Sequence, residues 1–233
     1  MSNASTLPVL TVKGLSFKIN KRQILSEIHF EALRGKTLAI VGHNGAGKTT
    51  LFHILLGLKF QKTGEVLLDG KSNLDPNSRA KLGYVPERPY FNLEISFRSF
   101  LVFHSSLAGL RGLDLNKEIQ RVALVVGLAD YLDEALKTFS KGMLQKALLA
   151  QSMLGNPEIM ILDEPMSGLD VDARLNIRNQ IIAFKEEGKT LIFSSHALED
   201  VERLADQVLI LDSGKIKFYG SVSEWKASLG GAK

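Results

Sequence analysis

Gly42-His43-Asn44-Gly45-Ala46-Gly47-Lys48-Thr49 follows a continuous apolar run, Thr37–Val41, and opens onto a helix-patterned stretch from about Lys48 to Leu58. It has the form G-x-x-x-x-G-K-[ST], in the strand–loop–helix setting that this form requires. The glycines let the backbone turn tightly, so that successive N–H groups point at one anion, and the helix start adds the positive end of its dipole. Lys48 is placed to reach the β- and γ-phosphates of a nucleoside triphosphate, and the Thr49 hydroxyl to ligate Mg2+. His43 and Asn44 occupy spacer positions. Asn44, Gly45, Ala46, Gly47 and Thr50 are counted with Gly42, Lys48 and Thr49 as nucleotide-contacting residues. The loop alone specifies a triphosphate and nothing narrower.

Further along, Ile159-Met160-Ile161-Leu162-Asp163-Glu164 is an apolar strand ending in two carboxylates. By itself Asp-Glu-Pro is also an ordinary strand-terminating turn. A phosphate loop, however, needs a metal-holding acid on a neighbouring strand. The reading is therefore that a strand beside the phosphate-loop strand delivers Asp163 to Mg2+. Glu164, one residue on, then faces the other way and polarises an attacking water.

The rest of the chain arranges itself around these two motifs. Val9–Val12, Ser16–Ile19, Ile28–Leu33 and Glu65–Asp69 are short, apolar or alternating, and separated by turn signals, which predicts a small antiparallel β layer near the N-terminus. Met160–Leu162, Thr190–Ser194 and Val208–Leu211 fit central strands of a parallel sheet. A helix is expected over about Asp172–Glu187, stopped by Gly188, and a last strand and short helix over Lys215–Tyr219 and Val222–Ser228. From about Arg88 to Lys137 strand signals stop and helical periodicity takes over, interrupted at Gly109, Gly112 and Gly127. This predicts a helical subdomain, about 88–137, inserted in an α/β core, all within one domain spanning 1–233. Gly230–Lys233 is expected to fray.

Composition bounds the function classes. Hydrophobic residues make up 45% and charged residues 23%, ordinary values for a globular chain, and the net charge of +4 is accounted for by a solvated surface. With no cysteine, disulfides and thiolate metal sites are excluded. No apolar run approaches the ~20 residues that cross a bilayer. The opening Met-Ser-Asn-Ala-Ser-Thr lacks the basic and apolar regions of a signal peptide. Any work at a membrane is then expected to go through a partner.

Taken with five further features, over about residues 8 to 225, the sequence resembles the nucleotide-binding subunits of ABC transporters. Phe139-Ser140-Lys141-Gly142-Met143, with Gln145-Lys146, stands at the family's signature position just before the acidic strand. Ser140 has the character of a helix N-cap, and a helix N-terminus is an anion site. The resemblance implies that Ser140 and Gly142 meet the γ-phosphate held by a second subunit, so that two chains sandwich two ATP molecules head to tail. Lys141 stands where glycine is usual and Met143 where glutamine is usual. Both departures resemble exporters built from separate ATPase and permease chains.

Ser167-Gly168-Leu169-Asp170 is similar to the loop through which the two sites of such a dimer communicate, which gives Asp170 a role beyond that of a helix cap. His196, after the strand Thr190–Ser194, matches the switch histidine that reaches the γ-phosphate. Gly83-Tyr84-Val85-Pro86-Glu87 matches the segment that couples to the helical subdomain. Glutamate stands there instead of the usual glutamine, and Glu87 is taken as a further oxygen donor to Mg2+. Phe17 matches an aromatic that stacks on adenine, although a strand phenylalanine is also ordinary core.

The resemblance thus implies a P-loop NTPase core with a mostly parallel sheet, an N-terminal antiparallel β layer and an inserted helical subdomain. It implies ATP and Mg2+ as ligands, with Glu164, His196 and Lys48 catalytic and Thr49, Asp163 and Glu87 at the metal. It also implies an ATP-driven head-to-tail homodimer, an integral membrane permease as partner, a peripheral location on the cytoplasmic face of the cell membrane through that permease, and transport in the export direction. The Phe91–Leu113 stretch, with Phe91, Phe97, Phe100 and Phe103, is either subdomain core or the face that passes motion to the permease. A soluble ATPase of the same type, acting on DNA, ribosomes or an assembly complex, is the competing reading. The absence of zinc-binding cysteines, long coiled coils and a second such domain weighs against it, and no nucleic acid is expected. An inert regulatory subunit is disfavoured by the intact Lys48, Asp163, Glu164 and His196.

Overall fold

The computed structural model describes residues 7–90, 92–110 and 113–230. Phe91 and Gly112, both used above, and the terminal residues 1–6 and 231–233 lie outside the described residues. In chain order the elements are β1 (Pro8–Ile19), β2 (Arg22–Leu33), β3 (Thr37–Val41), α1 (Lys48–Leu55), β4 (Thr63–Leu68), β5 (Lys71–Ser72), α2 (Pro76–Arg79) and β6 (Leu82–Val85). There follow α3 (Phe97–Leu107), α4 (Leu113–Val125), α5 (Lys141–Ser152), β7 (Ile159–Leu162), α6 (Val171–Glu186), β8 (Thr190–Ser195), α7 (Leu198–Leu204), β9 (Gln207–Asp212), β10 (Lys215–Ser221) and α8 (Val222–Gly230).

Two sheets result. One is antiparallel, in the order β2-β1-β4-β5, and the other has the order β10-β9-β3-β8-β7-β6. In the second sheet every pairing is parallel except β10 with β9. The stretches Val9–Val12 and Ser16–Ile19, expected as separate strands, form one strand whose pairing shifts between Val12 and Leu15. The expected Lys-Gly break at 13–14 is an irregularity inside a strand, because β2 and β4 pair with β1 on both sides of it.

The central strands are buried on both faces, and their period-2 alternation divides the core in two. Ile159 and Ile161 of β7 point to the side covered by the antiparallel sheet and by Leu51, Phe52, Ile54 and Leu55 of α1. Met160 and Leu162 point to the other side, where Phe97 and Leu101 of α3, Leu148 and Leu149 of α5, and Ile177 and Ile181 of α6 pack. Three layers therefore place α1 under β3 and leave the carboxyl ends of β3, β8 and β7 open at one edge.

Between β6 and β7 the described chain is helical, with short 3-10 turns at Ala129–Tyr131 and Leu136–Thr138. Phe97 and Phe100 belong to the core there, whereas Phe103 is 59% exposed.

Helix α1 stops at Leu55, short of the expected Leu58, because Gly57 takes φ 70 and turns the chain. The buried Asn73 side chain closes this end. Its Nδ2 donates to the carbonyl oxygens of Ile54 at 2.6 Å and Leu55 at 3.2 Å. Asn73→Ala strips both carbonyls of a partner inside the core. A loss of about 1–3 kcal/mol is expected, checked by the shift in denaturant midpoint.

Candidate active site

Parallel register brings three chain reversals to one edge. Val41 of β3 lies level with Ser195 of β8, and Leu162 of β7 level with Phe193. The phosphate loop, the Asp163–Glu164 pair and His196 follow immediately. In one respect the sequence reading is corrected. The acidic strand is not beside the phosphate-loop strand, because β8 runs between β3 and β7. The gap is bridged by Ser194 near the end of β8. Its Oγ donates to Asp163 Oδ1 at 2.6 Å and accepts the Glu164 N–H at 2.8 Å, fixing both carboxylate residues at once. Ser194 was absent from the candidate residues. The signal for it was a hydroxyl pair, Ser194-Ser195, closing an otherwise apolar strand.

The loop itself depends on two glycines. Gly47 adopts φ 111 at the start of α1, a conformation that side chains resist. A Cβ on Gly42 would lie 2.3 Å from the Leu211 carbonyl oxygen of β9. His43 ties the loop to the β9–β10 hairpin, its Nε2 lying 3.2 Å from Asp212 Oδ1. Hydrogen bonds from Ser213, and then from His43, hold the Asp212 carboxyl below its usual range.

The Lys48 side chain curls back across the loop, donating to the Gly42 carbonyl at 2.7 Å. It also comes within 3.4 Å of Glu164 Oε1, an ion-pair distance without hydrogen-bond geometry. Glu164 sits at φ 47, left-handed for a residue with a side chain, a backbone state that costs of order 1–3 kcal/mol and is characteristic of functional positions. Its Oε2 is 3.0 Å from His196 Nδ1. Lys48, Glu164 and His196 thus form one connected line. The imidazole end of it is open to solvent, while the Lys48 and Glu164 side chains are 7% and 9% exposed.

Asp163 is fully buried, and its Oδ2 has no hydrogen-bond partner. An unpartnered buried carboxylate oxygen is costly unless a cation meets it. Together with Thr49 at the first turn of α1, this donor set fits Mg2+. No cluster of three or more acidic or histidine ligands exists among the described residues. That also suits Mg2+, which takes one or two protein ligands and completes its shell from phosphates and water. Tyr84 lies near Asp163 and Glu87; burial first, and then those two charges, push its phenol well up, so it stays protonated. Burial, helped by Lys59 and opposed by Asp163, pushes His53 below the usual imidazole range.

The cleft over the loop is lined by His43, Asn44, Gly45, Gly47, Lys48, Thr49 and Thr50, by Glu87 and Glu164, and at its outer end by Arg22, Ile24 and Arg88, which the sequence reading did not single out. Ala46 is buried beneath the loop. Phe17 is half-buried and lines a different hollow, with Gln23 and Phe60 on the antiparallel sheet. Ser140, Gly142 and Asp170 do not line the cleft of their own chain. Ser140 caps α5 by accepting the Met143 N–H at 3.2 Å, and Asp170 caps α6 by accepting the Ala173 N–H at 2.8 Å. The unusual Lys141 donates its ammonium to the Gly168 carbonyl at 2.8 Å, which joins the signature segment to the loop ending at Asp170.

The chain is similar to known proteins in sequence and in fold. Residues 25–167 match the ABC transporter family. The chain is 38% identical over 93% of its length to an uncharacterized ABC transporter ATP-binding protein of Methanocaldococcus jannaschii, of which it spans 79%. It is also 38% identical over 94% of its length to another from Synechocystis, of which it spans 63%. Among solved structures it is similar to cbiO1 of Clostridium perfringens, part of the ABC transporter complex cbiONQ, with TM-score 0.83 and 25% identity over 95% of this chain and 92% of that one. A family match over more than half of the chain and 38% identity across nearly its whole length, on a shared fold, show that the chain belongs to the ABC transporter family, among its ATP-binding subunits.

Proposed function

We propose that this chain hydrolyses ATP to ADP and phosphate and that it is the motor subunit of a transporter whose membrane part is a separate permease. The observation that carries the hydrolytic role is the connected set Lys48–Glu164–His196, with Ser194 holding Asp163 and Glu164 in register.

In this reading the loop N–H groups from Gly42 to Thr50 cradle the phosphates, and Lys48 leaves Glu164 for the β- and γ-phosphates. Thr49 and Asp163 would hold Mg2+, with Glu87 as a further oxygen donor, and the ion would supply positive charge to offset that on the phosphoryl oxygens. Glu164, freed from Lys48, accepts a hydrogen bond from water and aims it in line, and His196 steadies the transferring group. Phe17 is assigned to the adenine by its place in the sequence.

Ser140 is exposed at the start of α5, with Gly142 beside it packed close to Ala173 of α6, and an exposed helix N-terminus suits a role at the ATP of a second copy in a head-to-tail dimer. Asp170 lies between the two sites. Closure of such a dimer excludes water and completes the electrostatic site. Exposed Tyr90, Phe103 and Leu107 suit contact with the permease, at the cytoplasmic side of the membrane. Among the described residues no helix is long and apolar enough to cross a membrane. The export direction rests on the likeness of Lys141, Met143 and Glu87 to exporter chains.

The test is purification of tagged Glu164→Gln protein from gently solubilised membranes with Mg-ATP. A multi-spanning membrane protein is expected in fixed stoichiometry with it. A soluble complex or nucleic acid in its place would overturn the transport reading and leave the ATPase chemistry standing.

A further inference from the structure

Helices α6 and α7 are joined by buried charge. Asp200, in the first turn of α7, is 1% exposed. Its Oδ2 accepts from Arg174 Nη2 at 2.5 Å and its Oδ1 from Arg178 Nη2 at 2.7 Å. The two arginines lie one helical turn apart on α6 and so share a face. Arg178 is 6% exposed and also reaches Glu199 at 3.4 Å. A buried cluster of this kind adds little stability over apolar packing of the same volume. What it supplies is direction, because each guanidinium fixes the carboxylate in plane and distance.

Its position makes that direction consequential. His196 lies four residues before Asp200, and Asp170 four residues before Arg174. One side of His196 is anchored by β8, where Ser194 is bonded to Asp163. The other side is anchored by the first turn of α7. A small hollow lined by Glu164, Ser195, His196, Arg174 and Asp200 separates the ion cluster from the carboxylate that His196 meets. No hydrogen bond or ion pair joins Arg174 or Asp200 to His196 or Glu164.

We infer that Asp200, clamped by Arg174 and Arg178, is a positioning residue that holds the His196 ring on Glu164. The inference rests on the proposed part played by His196 in hydrolysis. Without the clamp α7 slides on α6, and the imidazole loses its place by a fraction of an ångström to an ångström.

The test compares Arg174→Met in two backgrounds, unaltered and His196→Ala. Arg174 is partly exposed and Arg178 still pairs Asp200, so the fold is kept. In the unaltered background, kcat for ATP is expected to fall about tenfold with KM changed less than about twofold, as for a misplaced group that contributes to the reaction step alone. With His196 already removed, the same substitution should cost less than about twofold, since the two act as one unit. Arg174→Gln, which can still donate to the carboxylate, should lose about threefold and only when His196 is present. It carries the comparison if the Met variant does not fold. Equal losses in both backgrounds, or a parallel loss of nucleotide binding, would overturn the inference and leave the ATPase reading intact. Full turnover by His196→Ala would overturn the role of His196 itself, and this inference with it.

Discussion

Glu164→Gln is expected to lower ATP turnover by about a thousandfold while ATP stays bound at least as tightly as in the unaltered chain. The side chain is isosteric, so the φ 47 backbone and the N–H bond to Ser194 are kept. The amide cannot take a proton from water, which removes the general base. It also carries no charge, which removes the ion pair with Lys48 and one negative group facing the triphosphate. Lys48 is then free for phosphate without first leaving a carboxylate, so affinity is held or improved. Single-turnover hydrolysis and equilibrium ATP binding check the two halves separately. Turnover near that of the unaltered chain would remove Glu164 from the reaction. Weakened ATP binding would mean that the Lys48 pair organises the loop rather than competing with the nucleotide.

The second large effect is expected at Gly42→Ala, where nucleotide affinity should fall by about a hundredfold or more. The added methyl would lie 2.3 Å from the Leu211 carbonyl oxygen and 3.1 Å from Ala46 Cβ. Leu211 follows the four residues of β9 that pair with β3, so its carbonyl cannot retreat without shifting a strand of the parallel sheet. The loop must move instead, and it moves at the residue whose carbonyl receives Lys48. Misplacing the N–H cradle costs every phosphate contact at once, whereas overpacking of this kind costs the fold only about 1–3 kcal/mol. Gly45→Ala is the control. It has φ 86 but open space around it, so backbone strain of about 1–2 kcal/mol is its whole cost to the fold, with no neighbouring strand to push the loop aside. Titration with a fluorescent ATP analogue, alongside thermal melting, distinguishes the two. Unaltered affinity in Gly42→Ala would mean that the strand yields more readily than the loop.

Much of this is legible in the sequence. Residues 42–49 name their own chemistry, because the spacing of glycines, lysine and threonine is a backbone requirement written in residue types. The same holds for the Asp163–Glu164 pair at the end of an apolar strand, and for Ser140 and Asp170, whose capping role follows from small polar side chains ahead of helical runs. Both caps are seen as hydrogen bonds. Local signals failed where the structure is non-local. Helix α7 is short and its N-cap residue, Ala197, has no side chain that can cap it, so no start signal marks it. The Lys13-Gly14 break is absorbed by pairing on both sides.

The amino-acid order fixed which groups this chain can use: a phosphate-binding loop, two carboxylates, a histidine and outward-facing helix caps, each defined within a few residues by backbone and side-chain chemistry. Folding settled how they meet. Strand order put β8 between the loop and the acidic pair, and so made Ser194 the bridge. It set Phe17 at a hollow of the antiparallel sheet and brought Arg22 and Ile24 to the lining of the cleft. It also set Arg174 and Arg178 against Asp200. The hydrogen bonds to Asp163 and Asp200 join residues 22 to 31 positions apart, and no local pattern encodes them. They exist because two core layers must close on both faces of one parallel sheet, and that closure selects the neighbours.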